Sequence, residues 1–196
     1  MRIIAGEMRS RTLIAPKGSD TRPTLDRTRE SLFNIIAAEC PEARVLDLYA
    51  GSGALALETL SRGAASAVLC DCSREAAAAI RRNIETLRVQ DRARFLYMQD
   101  MRAVAQLGRE GERFDLVFLD PPYRMSTVPA CRALDEAGVL LPGALVVAEH
   151  AAAALPQIGA PYRLTDRRAY RDTMISFYRY EREEAHGEDL GVSGQL

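Results

Sequence analysis

From Arg44 to Glu149, short apolar runs alternate with segments of helical length, and no other feature of the chain limits its fold so strongly. Strands are read over 44–50, 67–71, 93–98, 114–119 (running into Asp120) and 144–149. Helices are predicted over 54–61, over 73–87 with Ser73 as N-cap, over a short stretch ending at Leu107, and over 128–137. Repeated βα units bury strands on both faces, so the expected fold is α/β, a mostly parallel sheet with helices on both sides. Runs at 162–170 and 174–180, with a turn at Arg171-Asp172, add an antiparallel edge hairpin and bring the sheet to seven strands.

The first 40 residues break that rhythm. Residues 2–15 suit a short hairpin around Gly6, 16–23 form a turn-rich linker, and a helix starts near Thr24 with Leu25, Leu32, Phe33 and Ile36 on one stripe, ending at Pro41. The expected organisation is an N-terminal extension (1–40), an α/β domain (41–181), and a charged, glycine-containing tail (182–196) that is expected to be disordered. A length of 196 residues with 47% hydrophobic residues supports a real core. The net charge of −1 gives no whole-molecule signal for nucleic acid, but residues 1–29 carry seven cations against three acids. Arginine-rich composition explains the number of arginines but not this clustering, for which nucleic-acid contact and chance are both open. Cys40, Cys70, Cys72 and Cys131 form no C-x-x-C pair, and only His150 and His186 could assist them, so no metal site is expected. Free thiols, and no apolar run near the ~20 residues that span a bilayer, point to a cytoplasmic protein that does not enter membranes.

Two segments carry candidate chemistry. Asp47-Leu48-Tyr49-Ala50-Gly51-Ser52-Gly53 joins the first strand to its helix, where glycines permit a tight turn and bring backbone amides close to a ligand. Asp71 lies twenty residues beyond Gly51 at the end of the second strand, placed to accept both hydroxyls of a ribose. Gly51-x-Gly53-x-x-Ala56 also satisfies a dinucleotide fingerprint, so an NAD-dependent oxidoreductase is a rival. Asp47 favours S-adenosylmethionine, because its charge suits an α-ammonium and not a pyrophosphate. Asp100 is placed to meet the adenine amine, although helix capping explains it equally, and Cys72 is placed to line the adenine pocket. Glu149 and His150 end the fifth strand near the same sheet edge, and His150 is read as a surface residue without a role.

The second segment is Asp120-Pro121-Pro122-Tyr123. Two prolines end the strand abruptly and fix a loop at its C-terminal end, where open α/β sheets bind ligands. An exocyclic amine on a base is a poor nucleophile because its lone pair is delocalised. Asp120 and the carbonyl of Pro121 or Pro122 can accept its two N–H groups, which favours tetrahedral nitrogen and stabilises the charge that develops there. Tyr123 can stack on the base, and the target nucleotide must be flipped or unpaired to enter. This is amino-methylation chemistry, open to guanine N2 and to adenine N6 on DNA or RNA. A non-catalytic RNA-binding module would not need the Asp120 carboxylate.

These motifs, together with Arg2-Ile3-Ile4-Ala5-Gly6, the run Arg22-Pro23-Thr24-x-Asp26-Arg27-x-Arg29-Glu30-Ser31-Leu32-Phe33-Asn34, Asp47 to Leu55 and Leu60-Ser61-Arg62-Gly63, resemble the bacterial 16S ribosomal RNA guanine-N2 methyltransferases named for guanine 966. The resemblance runs from Arg2 to about Arg179 and departs at Cys70-Asp71-Cys72-Ser73, which is more polar than the usual Glu-x-Asp form. It implies a Rossmann-like class I S-adenosylmethionine-dependent methyltransferase acting on 16S rRNA in an assembling small ribosomal subunit; separately, a monomer is expected. Cofactor residues are then expected to be Asp47, Tyr49, Gly51, Ser52, Gly53, Asp71, Cys72 and Asp100. Arg22, Thr24, Arg27 and Arg29 are expected to bind substrate phosphates. The other reading has Arg22-Pro23-Thr24 cover the cofactor and Arg27 pair with Asp47 or Asp120.

Overall fold

A computed structural model describes residues 1–16, 23–122, 125–152, 155–170 and 173–182, with the backbone alone for 23–26. Strands β1 (Arg44–Asp47), β2 (Ser66–Asp71), β3 (Ala93–Tyr97), β4 (Phe114–Leu119), β5 (Leu140–Ala151), β6 (Tyr162–Tyr170) and β7 (Thr173–Tyr180) make one sheet in the order β3-β2-β1-β4-β5-β7-β6. The first five run parallel, and β7 pairs antiparallel with both β5 and β6. The expected doubly wound sheet with an antiparallel edge is therefore present. The strand order reverses between β1 and β4, and ligand crevices open at the C-terminal ends of strands at such a reversal.

Helices α1 (Pro23–Ile35), α2 (Ala54–Ser61) and α3 (Arg74–Leu87) cover one face; α4 (Asp100–Arg109) and α5 (Val128–Glu136) cover the other. Alternation sorts the strands between two cores. Val45, Leu116, Phe118 and Val147 pack with Leu32, Phe33, Leu57 and Leu60, while Leu46, Val117, Leu119 and Val146 pack with Val104, Leu107 and Leu134. Each fully buried side chain of this size contributes ~1.5–3 kcal/mol.

Three boundaries differ from the sequence reading by more than two residues. The helix expected to reach Pro41 ends at Ile35, and a 3-10 turn over Ala37–Glu39 follows. Ile36 leaves helical geometry, and its side chain enters the core at 1% exposure. β1 stops at Asp47 because Leu48, Tyr49 and Ala50 already bend into the glycine turn, held by Leu48 N–H on the Phe118 carbonyl at 3.1 Å and Ala50 N–H on the Cys70 carbonyl at 2.9 Å. β5 begins at Leu140, four residues before the apolar run at 144, because the register shift against β4 near Phe114 and Leu116 accommodates exposed Pro142 and Gly143.

Residues 1–16 form a compact loop with a single antiparallel bridge, Arg2 to Thr12, in place of a full hairpin. Much of its order comes from α2. The buried Glu58 carboxylate accepts Ile4 N–H at 2.7 Å, Ala5 N–H at 3.0 Å and Arg62 Nε at 2.8 Å. Ser61 accepts Met8 N–H and donates to the Ala5 carbonyl. Residues 17–22, the turn at Arg171-Asp172 and residues 183–196 of the tail lie outside the described residues. Among the described residues, no helix is long and apolar enough to cross a membrane.

Candidate active site

The glycine turn opens directly onto the crevice. Gly53, at φ +78°, precedes α2, and an added Cβ would meet Leu69 Cδ2 at 2.8 Å. Gly51, at φ +55°, faces open space, with nothing within 4 Å of an added Cβ. Ser52 is buried under the turn, and its carbonyl accepts Asn83 Nδ2 at 2.8 Å. The Asn83 side chain also exchanges two hydrogen bonds with the backbone of Ile14, so one buried amide ties α3, the cofactor turn and the N-terminal extension together.

Asp47 has the most telling environment. It is 1% exposed; one oxygen receives a long bond from Ala56 N–H at 3.4 Å, and the other, Oδ1, has no hydrogen-bond partner. Burial pushes this carboxyl up to about 7, with the nearby Asp120 and Asp71 adding to the rise and the amides of Ala56 and Tyr49 opposing it. A buried, unpartnered carboxylate oxygen is a costly feature that a cation entering the crevice would relieve.

Asp71 accepts Gly51 N–H at 2.9 Å on one oxygen and Ser73 N–H at 2.8 Å on the other, which fixes the carboxylate at the end of β2. An ionised carboxylate has lone pairs remaining for ligand hydroxyls. Tyr49 and Asp100 form a pair: the phenol donates to Asp100 Oδ2 at 2.6 Å, and Oδ1 accepts Met101 N–H at 2.8 Å. Burial, then Asp100, push the Tyr49 phenol up, so it stays a donor. Cys72 is exposed beside Asp71, whereas Cys70 is buried with its thiol aimed at the Met98 carbonyl.

Across the crevice stands Asp120, one residue past β4. The residue as a whole is exposed, yet burial of its carboxyl against the crevice walls pushes it up to about 6. Pro121 is buried and Pro122 exposed. The Pro122 carbonyl accepts Met125 N–H at 2.8 Å and closes the turn, whereas the Pro121 carbonyl accepts no hydrogen bond from the described residues. Of the two expected backbone acceptors, Pro121 is thus the freer one. Tyr123, Arg22 and the Thr24 side chain lie outside the described residues.

The arginines separate. Arg27 is exposed, and no described ion pair joins it to Asp47 or Asp120. Arg29 is buried at 7% exposure and donates to the Arg2 carbonyl, tying α1 to the N-terminal loop. His150 is buried as well, not a surface residue, and its Nε2 meets Ser176 Oγ at 2.9 Å.

Sequence reasoning gave no role to Glu149, which follows the β5 residue paired with Leu119 and so stands beside Asp120. Desolvation, then the Asp120 charge, push its carboxyl up to about 8. Asn83 and Glu58 were also missed, because an amide and an acid inside helices carry no local sign of burial. Asp47, Asp120 and Glu149 follow Leu46, Leu119 and Ala148, all on the α4–α5 face, so the three carboxylates project toward the opposite face. Among the described residues no cluster of His, Cys, Asp or Glu is arranged to hold a metal ion.

The chain matches, over residues 1–179, the family described as Conserved hypothetical protein 95. It is 36% identical over 192 residues to Ribosomal RNA small subunit methyltransferase D of Escherichia coli, covering 96% of this chain and 92% of that protein. It is 34% identical over 181 residues to the putative rRNA methyltransferase YlbH of Bacillus subtilis, covering 91% and 98%. Among solved structures it is similar to the putative methyltransferase yhhF from Escherichia coli, with a TM-score of 0.83, 36% identity, and 92% and 98% coverage.

Proposed function

This chain belongs to the Conserved hypothetical protein 95 family, and from that premise we infer an S-adenosylmethionine-dependent methyltransferase of ribosomal RNA whose target is the exocyclic N2 of a guanine, guanine 966 of 16S rRNA. The observation that carries the reading is the buried, unpartnered Asp47 Oδ1 at the floor of the crevice that Asp120 borders. It fits a ligand that brings an ammonium. A pyrophosphate would enter a crevice lined by Asp47, Asp71 and Asp120 against their charge, so the oxidoreductase reading is set aside.

Bound there, S-adenosylmethionine supplies an electrophilic methyl group on a positively charged sulfur. Asp47 would hold the ammonium, Gly51 would leave the ligand room beside the turn, and Asp71 would accept the ribose hydroxyls. Asp120 and the Pro121 carbonyl accept the two N–H groups of the base. As positive charge develops on the amine nitrogen, Asp120 would stabilise it and would then take the surplus proton. Stabilisation of this kind grows toward the transition state and so raises the rate. Tyr123 stacks on the flipped base, and Arg22, Thr24 and Arg27 contact the RNA. The enzyme works as a cytoplasmic monomer on the assembling small subunit.

The test is incubation with tritiated S-adenosylmethionine and small-subunit particles from a strain lacking the enzyme, followed by nucleoside analysis. Label on N2 of a single guanine is expected. Label on adenine N6 would replace guanine by adenine as the target, and an absence of label would remove the assignment.

A further inference from the structure

Parallel pairing of β4 with β5 puts Leu119 opposite Ala148, so Asp120, just past the end of β4, and Glu149, two residues inside the end of β5, lie side by side on one face of the sheet. Neighbouring strands lie ~4.8 Å apart, so the two side chains leave the sheet as neighbours, and carboxylates held near each other do not both ionise cheaply. No described ion pair brings a cation to either one. The charged neighbour on β1 is Asp47, itself an acid; β7 offers the Thr173 hydroxyl, which favours the ionised form of Glu149 although it also donates to the Tyr170 carbonyl at 3.1 Å; on α1, Arg27 is exposed and no described ion pair joins it to either carboxylate.

We propose that Glu149 is a positioning residue for methyl transfer: its carboxyl shares one proton with Asp120 between neighbouring β4 and β5 and holds the Asp120 acceptor oxygen toward the target amine. The proposal rests on the methyltransferase reading above. With Asp120 pushed up to about 6 and Glu149 to about 8, the pair holds a single proton between those values. In that window the neutral Glu149 O–H donates to one Asp120 oxygen and leaves the other, ionised and oriented, to accept an amine N–H. Above about pH 8 the bridging proton is lost, the two carboxylates repel, and Asp120 turns from the amine.

The experiment is single-turnover methylation of small-subunit particles from pH 6 to 9.5 by the full chain and two variants. Glu149→Ala should slow turnover about tenfold or more at pH 7, the effect of a misplaced reacting group, with S-adenosylhomocysteine affinity unchanged. Glu149→Gln, whose amide donates the same hydrogen bond without titrating, should recover most of that loss. The wild-type rate should fall above about pH 8, and the Glu149→Gln rate should not. Undiminished turnover in Glu149→Ala, no recovery in Glu149→Gln, or the same alkaline fall in Glu149→Gln would overturn the proposal.

Carbon-13 carboxyl NMR keeps this test separate from the functional reading. The Glu149 signal should titrate near 8 and move to lower pH in Asp120→Asn, whether or not the RNA is methylated. Titration of Glu149 in the ordinary carboxylate range would sink the shared proton alone. A wild-type enzyme silent on RNA, with the coupled titration intact, would sink the functional reading alone.

Discussion

Asp47 shows how a single carboxylate can weaken a fold and prepare it for a ligand at once. Its folded-state pKa lies above the ordinary carboxylate value, so the fold favours the protonated form. The stability tied to that proton is complete at low pH and is lost as pH rises from the ordinary carboxylate range through about 7. Asp47→Asn should therefore raise the melting temperature of the ligand-free protein at pH 8, by thermal denaturation, while weakening cofactor binding. Binding a cation to the ionised form releases a proton below that point. Affinity for S-adenosylhomocysteine should rise up to about tenfold per pH unit toward pH 7 and then level off, with proton release visible by calorimetry in buffers of different ionisation enthalpy. Asp120→Ala should cut turnover by about 100-fold or more, as removal of one transition-state acceptor does, and leave cofactor affinity nearly unchanged. Asp47, Asp71 and Asp120 could be picked out in the sequence because each stands next to a glycine turn, a strand end or a proline pair. Glu149 could not, because what singles it out is the neighbour on the next strand.

Among the elements, α2 does more than its eight residues suggest. Glu58 and Ser61 satisfy the backbone of Ile4, Ala5 and Met8, and Arg62 stacks over the Phe33 ring at 4.8 Å from its centroid, so this helix gathers the extension against the sheet. Gly6 makes the closest approach: at φ +83°, an added Cβ would lie 1.7 Å from the Ser61 carbonyl oxygen. Gly6→Ala should therefore destabilise the protein by ~3 kcal/mol or more through backbone displacement, read in urea unfolding, whereas Arg9→Ala on the exposed side of the same loop should stay within ~0.5 kcal/mol. In the sequence, the N-terminal run stands out for its arginines and as a hairpin. Its apolar and glycine positions instead dock on α2, a role that follows from contacts more than fifty residues apart.

On the scale of the whole molecule, order reversal between β1 and β4 gathers Asp47, Asp71 and Asp120 from three strands at one crevice, and a net charge of −1 conceals an uneven surface. Most described arginines outside the extension are held by acids, as with Arg44–Glu112, Arg94–Glu110 and Arg179–Glu39. RNA affinity should nonetheless fall steeply with salt, with a log–log slope of about −0.7 per phosphate contacted on single-stranded RNA. Arg27→Ala should lessen that slope by about one contact, measured by filter binding over a salt series. A salt-independent affinity would place the docking surface elsewhere. The α/β class, the glycine turn and the proline-ended strand were legible in the sequence alone, because strand and helix periodicity and the backbone limits of glycine and proline are local properties. The carboxylate row from Asp47 to Glu149, the inward turn of Arg29 and the burial of His150 belong to the tertiary structure, since strand order and register decide which residues become neighbours, and a charge or a proton responds to its neighbours in space.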